Sequence, residues 1–282
     1  MADAFPQNFR QRLLSLLSQS SHVSAPFIST FLLIHLCAPV VANVGRSSLS
    51  SQVMLLGREY YQTNFGEQYL VLGPLAVHAL SGIVRRALIT YIKIKSPSVT
   101  VQADGSSPKP STIFQRICSV LPFTTLSSSA YTALLILPIH FGIHRVLPTT
   151  PNPPVLSLGP SELDYSFVQY GLQRWPARTW AMYLVLVVAV ITHAIEGSRV
   201  LMGSLYQGPS VALSETQAIK KTLNNFVVSN NSKIYRRLLA VALTLPILSG
   251  LYVLYKEPLY LFSDMGRRLE GAYQLSWIYS SQ

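Results

Sequence analysis

Five apolar stretches of this 282-residue chain contain no charged residue: 13–45, 68–84, 117–144, 179–195 and 238–255. Each approaches or exceeds the run of about 20 residues that a helix needs to cross the hydrocarbon core of a bilayer. No alternating period of two runs through them, so strands are excluded, and helices are expected at about 26–45, 68–90, 127–147, 179–202 and 237–255. Arg85, Arg86 and Arg199 lie at the ends of the two shorter stretches. From there their long side chains can snorkel to the headgroups. Only 12 % of the residues are charged, against about a quarter in soluble domains, and the mean hydropathy is +0.33. The expected fold class is an all-α membrane protein with five transmembrane helices.

Charge orients these helices, because Lys and Arg accumulate on the side that is not translocated. The N-terminal tail, the second loop and the fourth loop hold 14 of the 22 basic residues and four of the 11 acidic ones. The N-terminus and these two loops are therefore expected in the cytosol, with the C-terminus across the membrane. This asymmetry accounts for the formal charge of +11 through contact with anionic lipid, and no nucleic-acid-binding signature competes with it. Three regions follow: a cytosolic tail over 1–25, a transmembrane domain over 26–255 with a flexible cytosolic loop at 93–116, and an amphipathic tail over 256–282. In the first, Phe5, Phe9, Leu13, Leu16 and Leu17 share one face. That pattern fits a helix lying on the membrane surface, or alternatively a mitochondrial presequence. Pro39 is expected to kink the first helix, and a short surface helix is expected to begin near Ser214. The aromatics of the third loop, Tyr165 and Trp175 among them, suit an interfacial belt.

Within this frame the histidines stand out, since ionisable residues inside spanning helices are costly and usually functional. His78-Ala79-Leu80-Ser81-Gly82 is echoed by His193-Ala194-Ile195-Glu196-Gly197. His35 corresponds to His140 at an offset of 105 and His78 to His193 at an offset of 115. The first four helices therefore read as two repeated hairpins forming a histidine-containing bundle. Histidines on different helices, with small residues beside them, are one way to hold haem b. On that reading His78 and His193 ligate the iron, His35 and His140 are further candidates, Gly82 and Gly197 make room for the porphyrin, and Arg85 and Arg199 pair with its propionates. The alternative is that the same histidines are hydrogen-bonded between helices as packing contacts. His140 and His144 add a pair at spacing four. Cys37 and Cys118 fall in or beside apolar runs, which argues against a disulfide scaffold or a cysteine metal site. No catalytic triad, metalloprotease motif or phosphate loop is present, so an enzyme is not expected. Glu196 reads as a helix-end residue paired with Arg199 or Arg86.

Tyr60-Tyr61-Gln62 and Glu67 before Gly73-Pro74, then His78 with Ser81-Gly82 and Arg85, Leu163-Asp164-Tyr165, and His193 with Gly197 together resemble the fungal mitochondrial adapter family MCP over about residues 27–255. The His-x-x-Ser-Gly-x-x-Arg element is also similar to the haem-binding helix of succinate dehydrogenase and fumarate reductase anchors. The second copy departs from that element, with Glu196 in place of the serine and Arg199 one residue early. The resemblance implies a multi-pass protein of the mitochondrial outer membrane, with its N-terminus in the cytosol and its C-terminus in the intermembrane space. It also implies a role in lipid homeostasis, in which the protein recruits a bridge-like lipid-transfer protein of the vacuolar protein sorting class to membrane contact sites through a Pro-x-Pro motif. Pro108-Lys109-Pro110 lies on the expected cytosolic side, whereas Pro151-Asn152-Pro153 does not. The alternative function is a haem b-binding, cytochrome b-like anchor of an inner-membrane redox complex.

Overall fold

The computed structural model describes residues 7–95, 124–206 and 232–280. All regular structure among them is helical. Helix α1 runs over Gln7–Tyr61, and a π-helical segment, Gly66–Leu72, leads into α2, Gly73–Lys95. Helix α3, Thr125–Phe141, continues through a π turn at Gly142–Val146 and a 3₁₀ turn at Leu147–Thr149. Then come α4, Tyr165–Arg174, α5, Pro176–Tyr206, α6, Ser232–Lys256, and α7, Ser263–Gln274. Five helical stretches, Gln7–Tyr61, Gly66–Ile92, Thr125–Thr149, Pro176–Ser204 and Lys233–Lys256, are long and apolar enough to cross a membrane. All five expected spans fall inside them. The chain is a membrane protein by this criterion.

Local sequence sets several boundaries. Pro176 opens α5, a position where its missing N–H goes unused. The Asp164 carboxylate caps α4 by accepting from the Ser166 N–H at 2.8 Å. The one break inside α1 is at Arg46, with φ 52° and ψ −150°. It lies seven residues after Pro39, directly after Gly45. There the left-handed backbone interrupts the i→i−4 ladder and frees the Ser47 N–H. Glu257, just past the end of α6, takes up that group: its carboxylate accepts from Ser47 N at 3.0 Å and from Ser47 Oγ at 2.9 Å. Residues 7–25, expected as a separate surface helix, form the beginning of α1, because no glycine or internal break intervenes before residue 45.

The structure divides into two compact units, Met1–Thr30 with Asn64–Thr124, and Phe31–Thr63 with Thr125–Gln282. In the first, the initial part of α1 and α2 meet through His78. In the second, α3 packs on α5 and α5 on α6, while α4 and α7 join the loop 147–164 in a compact cap. The remainder of α1 crosses α6 closely. A Cβ at Gly250 would lie 1.7 Å from the Pro39 carbonyl oxygen, so only glycine permits this approach. Polar contacts reinforce the crossing: Asn43 Nδ2 donates to Pro246 O at 2.8 Å, and Ser249 Oγ donates to Asn43 Oδ1 at 2.8 Å. Small residues Ala38 and Ala42 are buried on the same stretch of α1, as expected where membrane helices associate without a hydrophobic driving force.

The cap shares one core with the second part of α1, α5 and α6. Leu172, Leu254, Leu269, Tyr273 and Tyr279 are fully buried, each contributing on the order of 1.5–3 kcal/mol. Phe167 stacks on Tyr273 with centroids 4.4 Å apart, and the Tyr273 hydroxyl donates to Phe167 O at 3.0 Å. Tyr165 is 6 % exposed, so it belongs to this core and the belt expected for it is not observed. Trp277, Tyr260 and Phe262 are the exposed aromatics of the region. Arg268 closes the cap by donating to Glu162 at 2.6 Å and to Val155 O at 2.9 Å. This bond and one from the Gly159 N–H hold the Glu162 carboxyl below its ordinary range.

Candidate functional site

In the second unit three of the histidines gather among aromatic rings. His35 stacks on Phe31, one turn earlier on α1, with centroids 5.2 Å apart. Tyr61 stands edge-on to both, 5.3 Å from Phe31 and 5.9 Å from His35. Across from them α3 supplies His140, 6.1 Å from His35 at 79° between the rings. His144, one turn on in the π turn, is 4.5 Å from His140. The Tyr183 hydroxyl of α5 hydrogen-bonds His144 Nε2 at 3.0 Å, and Phe167 meets the same imidazole edge-on at 5.4 Å. The Nδ1 atoms of His35 and His140 and the Nε of Arg58 are buried without a hydrogen-bond partner among the described residues. Each such atom costs about 1–3 kcal/mol unless a bound molecule meets it.

His78 and His193 have simpler surroundings. In the first unit His78 Nδ1 lies 3.1 Å from the Ser21 carbonyl, which can only accept, so this nitrogen carries the proton. Ser24 Oγ donates to the same carbonyl at 3.0 Å. In the second unit His193 Nδ1 is 3.3 Å from the Leu126 carbonyl and takes the same tautomer. The two copies of the motif thus make the same interaction, a ring N–H given to a backbone carbonyl. That pattern orients axial metal ligands, and it equally serves interhelical packing.

Porphyrin is a wide flat plate, and the space beside His35 and His140 is filled by Phe31, Tyr61, His144 and Tyr183. This pair does not fit the group. His78 and His193 each have the tautomer an axial ligand needs, and a Cβ at Gly82 or Gly197 would meet no described atom within 4 Å. Among the described residues those two glycines sit at no close helix approach, whereas Gly250 does. Arg85 is exposed. Among the described residues no group of three or more His, Cys, Asp or Glu side chains is arranged to hold a metal ion. His78 belongs to the first unit and His193 to the second.

Other expected residues fall elsewhere. Glu196 pairs with Arg236 of α6 at 2.9 Å, in place of the Arg199 or Arg86 expected, because α6 packs beside this part of α5. Pro108, Pro110, most of the loop 93–116, Cys118 and the helix expected near Ser214 lie outside the described residues. Tyr61, Tyr183, Phe167 and Tyr273 were not expected at the histidine cluster. The His140–His144 spacing was the one visible signal, and the partners come from segments far away in sequence. Comparison of the chain with protein-family models, with curated proteins and with solved structures finds no match.

Proposed function

We propose that the protein is a non-enzymatic adapter of the mitochondrial outer membrane, acting in lipid homeostasis by recruiting a bridge-like lipid-transfer protein of the vacuolar protein sorting class. The observation that carries this reading is how the charged residues are used. On the side expected to be translocated, the third loop and the C-terminal tail are folded on each other. Arg268 pairs with Glu162, Arg174 with Glu270, and Glu257 binds Ser47. The acids and bases there hold the fold together. A recruiting surface then falls to the strongly basic side, with the N-terminus, the loop at 93–116 and Pro108-Lys109-Pro110. The helical domain is the anchor for those segments.

Duplication of a helical hairpin belongs to the same reading. Its support is that His35 and His140, which correspond at an offset of 105, meet with ring centroids 6.1 Å apart. It is further supported by His78 and His193 making the same Nδ1 contact to a carbonyl. Localisation tests the adapter reading. On intact mitochondria, added protease removes an N-terminal tag while a C-terminal tag is protected, and the precursor is not shortened on import. A cleaved precursor with both tags protected contradicts it.

The second reading, a haem b-binding anchor of the inner membrane, is favoured by the tautomers of His78 and His193 and the open space beside Gly82 and Gly197. An absorbance spectrum of the purified protein tests it. A Soret band lost in His78→Ala supports the haem reading, and protein that stays colourless after haem supplementation removes it.

A further inference from the structure

On the first unit, α1 and the start of α2 enclose an open groove of about 420 Å³. This lies in the size range of small-ligand sites. Leu16, Gln19, Ser20, Val23 and Phe27 line one wall, with Pro74 and Val77 on the other. The α1 residues recur every three or four positions, so they form one continuous stripe along the helix. Leu16, Val23, Phe27 and Val77 are exposed, Val23 at 69 % and Leu16 at 59 %, whereas Ser24 behind them bonds Ser21 O. The groove therefore has Ser24 at its back and a mostly apolar open mouth that also carries Gln19, and the helices that form it are ones apolar enough to lie in a bilayer.

Charge indicates what fills it. Arg12 lies four residues before Leu16, on the same stripe, about 6 Å further toward the start of the helix. It is exposed, and no acidic residue occurs between Asp3 and Glu59. A molecule matching this order of features has an anionic head, a pair of hydrogen-bond acceptors and a long apolar tail. We propose that the groove binds an anionic phospholipid, with its phosphate at Arg12, its glycerol ester carbonyls against Gln19 and Ser20, and one acyl chain along Leu16, Val23, Phe27, Pro74 and Val77. The site requires only that these helices lie in a membrane, and it stands whether or not the chain is an adapter.

Native mass spectrometry of the full chain, released from mixed phosphatidic acid and phosphatidylcholine nanodiscs, reads the bound lipid directly. The wild type retains phosphatidic acid over phosphatidylcholine by about five-fold, the factor for one arginine near an anionic surface. Arg12→Gln abolishes the preference, and Val23→Trp, which fills the groove at an exposed position, lowers retention of both lipids. Equal retention of the two lipids by the wild type overturns the proposal. So does an undiminished preference in Arg12→Gln, or undiminished retention in Val23→Trp.

Discussion

Substituting Gly250 by alanine should damage this protein more than any other single added methyl on its spanning helices. An ideal Cβ at that position lies 1.7 Å from the Pro39 carbonyl oxygen, whereas ordinary contact begins near 3.4 Å. Helices α1 and α6 must then separate by about 1.7 Å, since a backbone carbonyl cannot rotate away as a side chain can. The separation stretches two bonds of 2.8 Å, from Asn43 to Pro246 O and from Ser249 to Asn43, beyond hydrogen-bonding range. Such bonds between membrane helices are worth about 0.6 kcal/mol each on average. Overpacking adds roughly 1–3 kcal/mol. The expected total is about 2–4 kcal/mol, or a fall in Tm of roughly 5–15 °C at about 2–4 °C per kcal/mol. Thermal unfolding of detergent-purified protein measures it. Gly82→Ala and Gly197→Ala are the internal controls, because an added Cβ there meets no described atom within 4 Å. Both should unfold within a few degrees of wild type, shifted upward if at all by the better helix propensity of alanine. A Gly250→Ala protein with the wild-type Tm refutes the close crossing, and so does a Gly82→Ala protein equally destabilised.

Three further outcomes follow from named contacts. Glu257→Ala leaves the Ser47 N–H at the α1 break without its charged acceptor, so a loss of about 1.5–3 kcal/mol is expected in the same unfolding assay. Tyr183→Phe removes the hydrogen bond to His144 at a cost of about 1 kcal/mol, with the same absorbance spectrum as wild type. The folded-state pKa of Glu162 lies below its ordinary 4.5, through the bond from Arg268 and then that from Gly159 N–H. The stability that Glu162 contributes is therefore fully present above pH 4.5 and is lost as pH falls through the depressed value. Trp175 fluorescence should report acid loosening of the cap that is smaller in Glu162→Gln.

The spans were legible because uncharged apolar length depends on composition along the chain alone. The expected 127–147 and 179–202 lie within Thr125–Thr149 and Pro176–Ser204. What could not be read was which residues meet. Tyr165 and Trp175 looked like interfacial aromatics, yet their cap has Tyr273 and Tyr279 at its centre, about a hundred residues later. Glu196 had two nearby arginines in sequence and pairs with Arg236 on another helix. His35 and His140 were expected beside haem, but Phe31, Tyr61, His144 and Tyr183 occupy their surroundings. Tertiary neighbours of this kind depend on helix rotation and on single close-approach glycines such as Gly250. Hydropathy registers neither.

The adapter reading meets its most direct test in the amount of the lipid-transfer protein found on mitochondria when this chain is expressed. The account predicts enrichment with the wild type and loss of that enrichment in Pro108→Ala/Pro110→Ala, with the membrane domain itself still inserted. No enrichment by the wild type, or full enrichment by the double variant, contradicts it.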